Sequence, residues 1–301
     1  MRCLVTGAAG FLGASVVKRL LASDIEVRAF DRSVQRPCAV EVLGPDVDKV
    51  EWVVGDIADA TAVARAMEGC AAVAHIAGIL TPVCRENPIL GAHVNLLGTL
   101  NVFEAAKLHG VPRVVYMSSA SVFGAEHARY PEPSTHYGAF KLACEGSARA
   151  YWADAGIASV GLRPLVAYGP GREVGPSAGV SLACKAAAAG QCYTIPFSGR
   201  SGFVYGDEVA QAVEEGLLTD LEGAHVFSMG GVVTDVAEVV YEINRLAGGD
   251  YVDFAGPPIW INCDFDSDAI INVLPGVERV SIADGLARTY EHYASLLCQA
   301  R

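Results

Sequence analysis

The sequence predicts a doubly wound α/β fold: a parallel sheet with helices on both faces, followed by a smaller C-terminal α/β lobe. Three observations predict it. Short apolar runs without polar alternation recur at 2–6, 25–30, 50–54, 71–77, 112–118 and 157–163, as expected of strands buried on both faces. Helical periodicity fills the gaps at 11–22, 59–68, 87–109 and 137–155, so the elements alternate as βαβ units. The first strand also runs straight into a glycine-rich turn that opens onto the first helix.

That turn reads Thr6-Gly7-Ala8-Ala9-Gly10-Phe11-Leu12-Gly13, with glycines spaced G-x-x-G-x-x-G. Gly7 can take a tight turn, Gly10 admits a pyrophosphate close to the backbone, and Gly13 lets the helix pack on the strand. Leu12, Val16, Val17, Leu20 and Leu21 give the helix its apolar face. Its N-terminus offers free N–H groups and partial positive charge to phosphates. The second strand ends in Asp31, eighteen positions after Gly13. An acid near this distance holds the ribose hydroxyls of a dinucleotide. It would repel a 2′-phosphate, so NAD is expected, and Arg32 keeps NADP possible because a guanidinium can accept that phosphate.

Ligands of such sheets bind at the carboxyl ends of the strands. Gly7, Asp31, Asp56, Gly78 and Ser119 all fall there. In the helix at 137–155, Tyr137 and Lys141 stand four residues apart on one face, the only such pair in a chain with five lysines. A cation at this spacing favours the phenolate, which makes Tyr137 a candidate acid/base near neutral pH.

From about Arg163 the pattern becomes irregular, and prolines and glycines mark loops between helices expected at 178–190, 206–219, 234–247 and 281–294. The expected organisation is a nucleotide-binding Rossmann domain over 1–163, with 206–232 returning to it. Residues 164–205 and 233–301 would form a substrate-binding lobe that closes over the cofactor.

Composition narrows the function classes. Apolar residues make up 52% and charged residues 19% of 301, which suits a filled core. A net charge of −12 is unhelpful for nucleic acid or an anionic membrane. No apolar stretch is long enough to span a bilayer. The first strand begins at residue 2, so no signal peptide is expected and the cytoplasm is the expected compartment. The nine cysteines include no C-x-x-C pair and the seven histidines no H-x-x-x-H pair. Buried free thiols and no metal site are therefore expected.

These residues, taken together, resemble the extended short-chain dehydrogenase/reductase family, the NAD-dependent epimerase/dehydratase group. The matching pieces are the glycine turn, Gly55-Asp56-Ile57, His75-Ile76-Ala77-Gly78, Asn95-Leu96-Leu97-Gly98-Thr99, Ser118-Ser119-Ala120-Ser121-Val122-Phe123-Gly124, Tyr137-Gly138-Ala139-Phe140-Lys141, Arg163-Pro164 and Tyr168-Gly169-Pro170-Gly171. The resemblance implies a role for each. Tyr137 would exchange a proton with the substrate hydroxyl, Lys141 would hold the nicotinamide ribose, and Ser119 would hydrogen-bond the reacting oxygen. Asn95 would support the site through backbone and water contacts. Gly7, Gly10, Phe11, Leu12 and Gly13 would cradle the pyrophosphate, Asp56 and Ile57 would flank the adenine, and Ala77 and Gly78 would line the cofactor cleft.

Three departures bear on the substrate. Ala120 and Ser121 follow Ser119 where the family's 4,6-dehydratases carry an acidic pair. Val166 stands near the place of an asparagine in many sugar-nucleotide enzymes. Ser201, one place after Arg200, stands where an arginine usually meets the nucleotide diphosphate. A large nucleotide-sugar substrate is thereby disfavoured. Ser121, Arg172 and Arg200 are the remaining substrate candidates, the arginines because their planar fork suits a carboxylate or phosphate.

The expected function is an NAD(P)-linked oxidoreductase acting on a secondary alcohol of a sugar, sugar acid or similar small polyol-like compound. One alternative is a (nucleotide-)sugar epimerase with tightly bound NAD. Another is a non-catalytic dinucleotide sensor, although such relatives usually lose the tyrosine–lysine pair that this chain keeps. The resemblance also implies a homodimer formed through 87–109 and 137–155, with Val94, Leu97, Leu100 and Leu108 as candidate contacts.

Overall fold

The structure, a computed structural model, describes residues 1–124, 130–259, 263 and 266–299. In the first half the chain runs β1 (Arg2–Thr6), α1 (Phe11–Ala22), β2 (Glu26–Asp31), α2 (Pro37–Leu43), β3 (Glu51–Val54), α3 (Ala60–Met67), β4 (Ala72–His75), α4 (Thr81–Glu86), α5 (Pro88–Gly91), α6 (Gly98–His109), β5 (Arg113–Met117), α7 (His136–Ala155) and β6 (Ala158–Pro164). After it come β7 (Val166–Tyr168), α8 (Gly179–Ala188), β8 (Tyr193–Ile195), β9 (Arg200–Tyr205), α9 (Gly206–Leu218), β10 (Ala224–Met229), β11 (Val232–Asp235), α10 (Val236–Ala247), β12 (Val252–Phe254), α11 (Ala269–Val273) and α12 (Ile282–Gln299).

Seven strands form one parallel sheet in the order β10-β6-β5-β4-β1-β2-β3. This is the doubly wound fold expected from the sequence. The order reverses between β1 and β4, which opens a crevice at the carboxyl ends of those strands. One face of the sheet packs α1 and α9 through Val16, Val17, Leu20, Val209 and Val213, all fully buried. The other packs α3, α6 and α7 through Val63, Val102, Phe103 and Ala148. A third cluster joins α8, α10 and α12 around β7 and β9, and β11-β9-β7 and β12-β8 form two small sheets. Ile270, Leu274 and Val277, from the C-terminal segment, pack back onto the first face of the main sheet.

The helix expected over 87–109 is broken into pieces. Asn87 caps α5 by accepting from Leu90 N–H at 3.0 Å, and Pro88 begins it. A wider π-type turn over Ala92–Leu97 then leads into α6. Such a turn inserts an extra residue and loosens the local hydrogen-bond ladder. Here the Asn95 carbonyl accepts from Thr99 Oγ1 at 2.7 Å and from Cys144 Sγ at 3.3 Å.

A buried polar chain ties that turn to the sheet. Ala77 N–H donates to Thr6 Oγ1 at 3.3 Å, and Thr6 Oγ1 lies 2.7 Å from His75 Nδ1. His75 Nε2 lies 3.0 Å from Thr99 Oγ1. Thr99 uses its own proton on Asn95 O, so His75 donates from Nε2, and as the neutral ring it accepts the Thr6 proton at Nδ1. Burial, reinforced by the Lys141 charge, lowers its pKa to about 3. A histidine held neutral costs stability once the unfolded chain can protonate it. Its contribution is complete above about pH 6.5 and is lost as the pH falls toward 3, by roughly 1.4 kcal/mol per pH unit. Denaturant titrations between pH 7 and 4 are expected to show this slope, and His75→Gln is expected to flatten it. An unchanged slope in the variant would place the acid sensitivity elsewhere.

Candidate active site

The glycine turn is built as the spacing required. Gly7 sits at φ +69°, a conformation that side chains disfavour. A Cβ at Gly13 would lie 2.0 Å from Gly7 O, so only glycine lets α1 approach β1. At Gly10 the nearest such contact is 3.5 Å, which leaves that position open on its outer side. Gly10 also precedes α1 without any side-chain cap, so the first-turn N–H groups remain for an anion. Asp31 Oδ2 accepts from Ala9 N–H at 3.0 Å and Oδ1 from Ser33 N–H at 3.0 Å. These bonds hold its carboxylate beside the turn. Open backbone, free N–H groups and a fixed acid fit NAD.

The remaining cofactor candidates occupy different settings. Ala77 backs directly onto Gly7, whose added Cβ would meet Ala77 N at 2.6 Å. Gly78 is exposed and lies against the Asn95 side chain. Ile57 is buried against Gly98, while Asp56 is exposed and accepts from Ala58 N–H at 2.9 Å. Arg32 is exposed. Asn95 is fully buried, and its amide clamps Ile79 from both sides, accepting from Ile79 N–H and donating to Ile79 O, each at 2.9 Å.

Helix α7 delivers the tyrosine and the lysine. Thr135 caps it, accepting from Gly138 N–H at 3.1 Å. A Cβ at Gly138 would fall 2.0 Å from Ser121 O, so the glycine admits the segment after β5 to the start of the helix. Lys141 is buried, and its Nζ donates to Met117 O at 2.6 Å and stands 5.7 Å from the centre of the Tyr137 ring. Ser119 Oγ accepts from Ser121 N–H at 3.1 Å.

Ser119, Ser121, Tyr137, Lys141 and Arg172 line one cavity of about 430 Å³, together with Phe11, Leu12 and Gly78 from the cofactor side. Arg172 stacks near Phe11, 5.8 Å from the ring centre, and its Nη2 donates to Ser177 Oγ at 3.3 Å. Burial pushes its guanidinium pKa down, and the nearby Tyr137 opposes that. Arg200 is not brought to the site. It is exposed at the start of β9, in register with Asp235, and is not among the cavity-lining residues. Its place in the sequence beside Ser201 suggested a ligand contact, but Arg200 stands at the exposed end of β9 while Ser201 and the rest of the strand are buried.

A buried group that the motifs did not single out lies on the same helix as Lys141. Glu145, one turn beyond Lys141 on the same stripe of α7, is 1% exposed. It accepts from Ser118 Oγ at 2.5 Å and from Arg163 Nε and Nη2 at 2.7 and 2.5 Å. Arg163 also lies over the Phe123 ring at 4.9 Å. Helix α7, strand β6 and the residue before Ser119 are thereby tied together. The available signal was a charged residue on the same helical stripe as Gly138, Lys141 and Ala148.

A doubly wound sheet with this turn, this acid and this tyrosine–lysine pair defines an NAD-dependent enzyme. Residues 3–229 match the model of the NAD dependent epimerase/dehydratase family, and the chain belongs to that family. It is 32% identical to a UDP-glucose 4-epimerase of Mycolicibacterium smegmatis, covering 97% of this chain and 98% of that protein. It is 36% identical to a uronate dehydrogenase of Pseudomonas putida over 54% of this chain and 59% of the relative. The structure of Thermus thermophilus UDP-glucose 4-epimerase in complex with NAD superposes with a TM-score of 0.80 at 28% identity, covering 97% of this chain and 99% of the other. Among the described residues no helix is long and apolar enough to cross a membrane.

Proposed function

We propose that the protein is a dehydrogenase or reductase working on a secondary alcohol, or the matching ketone, of a small acidic substrate. The observation that carries this reading is the single cavity shared by Tyr137, Lys141, Ser119 and Arg172. Bound NAD supplies the hydride acceptor. Tyr137 takes the hydroxyl proton as the carbon gives up its hydride, so that no free alkoxide forms. Lys141 provides the charge beside Tyr137, and Ser119 donates to the same oxygen. Glu145 and Arg163 are positioning residues that tie α7 to β6. Asn95 holds the Ile79 backbone, and with it the cofactor-side wall. Residues 164–205 and 233–301 serve as the lobe that closes over the cofactor, apart from Ile270, Leu274 and Val277, which pack on the main sheet.

Full-length similarity to UDP-glucose 4-epimerases favours a second reading, in which a keto intermediate turns and is reduced from its other face. Cofactor behaviour separates the two. A dehydrogenase releases one NADH per substrate oxidised and needs added NAD. An epimerase purifies with NAD bound and turns over without any addition. Retained nucleotide together with cofactor-free turnover would overturn the first reading.

We also propose a homodimer built on α5, α6 and α7. Ile89 and Leu108 are each 71% exposed and Leu90 and Leu97 each 41% exposed along this face. Val94, by contrast, packs on the chain's own core. Light scattering at micromolar concentration is expected to give twice the chain mass. A monomer that persists at this concentration would contradict the proposal.

A further inference from the structure

Resting on the reading of Tyr137 as acid/base, we propose that the cavity takes a hydroxy acid whose carboxylate meets Arg172 and whose body is hydrocarbon. Two observations carry this, one about the anion and one about the wall.

Arg172 is largely enclosed, yet among the described residues it pairs with no carboxylate. Its Nε is buried without a hydrogen-bond partner, and its one side-chain acceptor, Ser177, is a hydroxyl at 3.3 Å. A buried guanidinium left this way lacks the planar partner that its fork is shaped for. A carboxylate entering from the cavity would supply one beside Tyr137.

The wall constrains the rest of the substrate. Among the described lining residues there is no Asp, Glu, Asn, Gln or His. Of the polar heads that are present, Ser118 is turned to Glu145, and Lys141, Tyr137 and Ser119 are assigned to the cofactor side and the reacting oxygen. A polyol presents several hydroxyls, each needing both a donor and an acceptor once it leaves water. Thr81, Ser121 and Ser177 are too few for that. The rest of the wall is Leu80, Leu165, Pro196, Phe197, Pro258 and Ile259. Its far side is a fixed surface: Ser198 N–H donates to Pro257 O and Ile259 N–H to Ser198 O, each at 3.1 Å, joining the segments after β8 and β12. Such a surface rewards methylene groups and penalises unpartnered hydroxyls.

The test uses the full chain with NAD and a panel of acids: 3-hydroxybutanoate, 3-hydroxyhexanoate, 3-hydroxyoctanoate, the amide of the last, glucuronate and gluconate. Binding of each to the protein–NADH complex is read by calorimetry alongside NADH formation. Affinity is expected to rise roughly fourfold per methylene along the series. The amide is expected to bind at least tenfold more weakly, and Arg172→Met is expected to erase the difference between acid and amide. Glucuronate or gluconate binding as well as the longest hydroxy acid would overturn the proposal. So would an affinity indifferent to chain length, or no binding of any of the acids. Tyr137→Phe is the separate control. If it binds the acids but no longer turns them over, the acid/base reading stands whatever the panel shows. If it turns them over at the wild-type rate, that reading fails while the binding order remains interpretable.

Discussion

Replacing Tyr137 by Phe is expected to lower the rate of NADH formation by about a thousandfold while leaving NAD affinity within about twofold. A positioned acid/base contributes roughly a hundredfold to ten-thousandfold, and a thousandfold corresponds to about 4 kcal/mol of barrier. The variant removes one oxygen only. The ring keeps its place at the start of α7, where Thr135 caps the helix and Gly138 meets Ser121 O. Lys141 keeps its bond to Met117 O, because that bond does not involve the phenol. The loss should therefore fall on turnover and not on cofactor binding. Steady-state kinetics with a turned-over substrate, together with a fluorescence titration of NAD, separates the two quantities. Wild-type turnover in the variant would remove Tyr137 from the reaction.

Replacing Glu145 by Ala is expected to destabilise the fold by about 3–5 kcal/mol, the usual cost of leaving one member of a buried ion pair alone. The substitution strands the Arg163 guanidinium, whose side chain is 14% exposed, and removes the acceptor of Ser118. A fall of about five to eight degrees in melting temperature should follow. Glu145→Gln keeps an acceptor for Ser118 and for one Arg163 N–H and should cost less. Combining Glu145→Ala with Arg163→Met should recover part of the loss, because no buried charge then lacks its partner. A single Glu145→Ala variant within about 1 kcal/mol of wild type, measured by denaturant unfolding, would show that the pair is solvated.

Local chemistry made much of the fold legible. The six strands of the first half lie within two residues of the runs seen in the sequence, because strands buried on both faces leave an unbroken apolar record. Gly7 and Gly13 were readable for a related reason. Each satisfies a steric demand within a few residues of itself. Asn87-Pro88 marks where the helix expected at 87–109 starts. The π-type turn around Asn95 left no such mark, since its loosened carbonyl is satisfied by Cys144 from another helix. Helix α2 and the small strands of the second half were also missed. These elements are short, seven residues or fewer, and the strands pair with partners distant in sequence.

Short-range patterns in the chain set the alternation of strands and helices, the nucleotide turn with its acid, and the tyrosine and lysine one helical turn apart. Each arises from backbone sterics or helical periodicity over a short stretch. Tertiary structure decided which charged side chains enter the cavity. Arg172 and Arg200 look alike as loop arginines. The first is folded inward beside Phe11 and Ser177, and the second is turned to solvent at the start of β9. Tertiary structure also joined Glu145, Arg163 and Ser118 into one buried group and zipped the Pro196 and Pro258 segments into an apolar wall. These contacts link residues far apart in the chain. Whether a charge is buried or an acceptor occupied depends on what packs against it from elsewhere, and no local pattern records that.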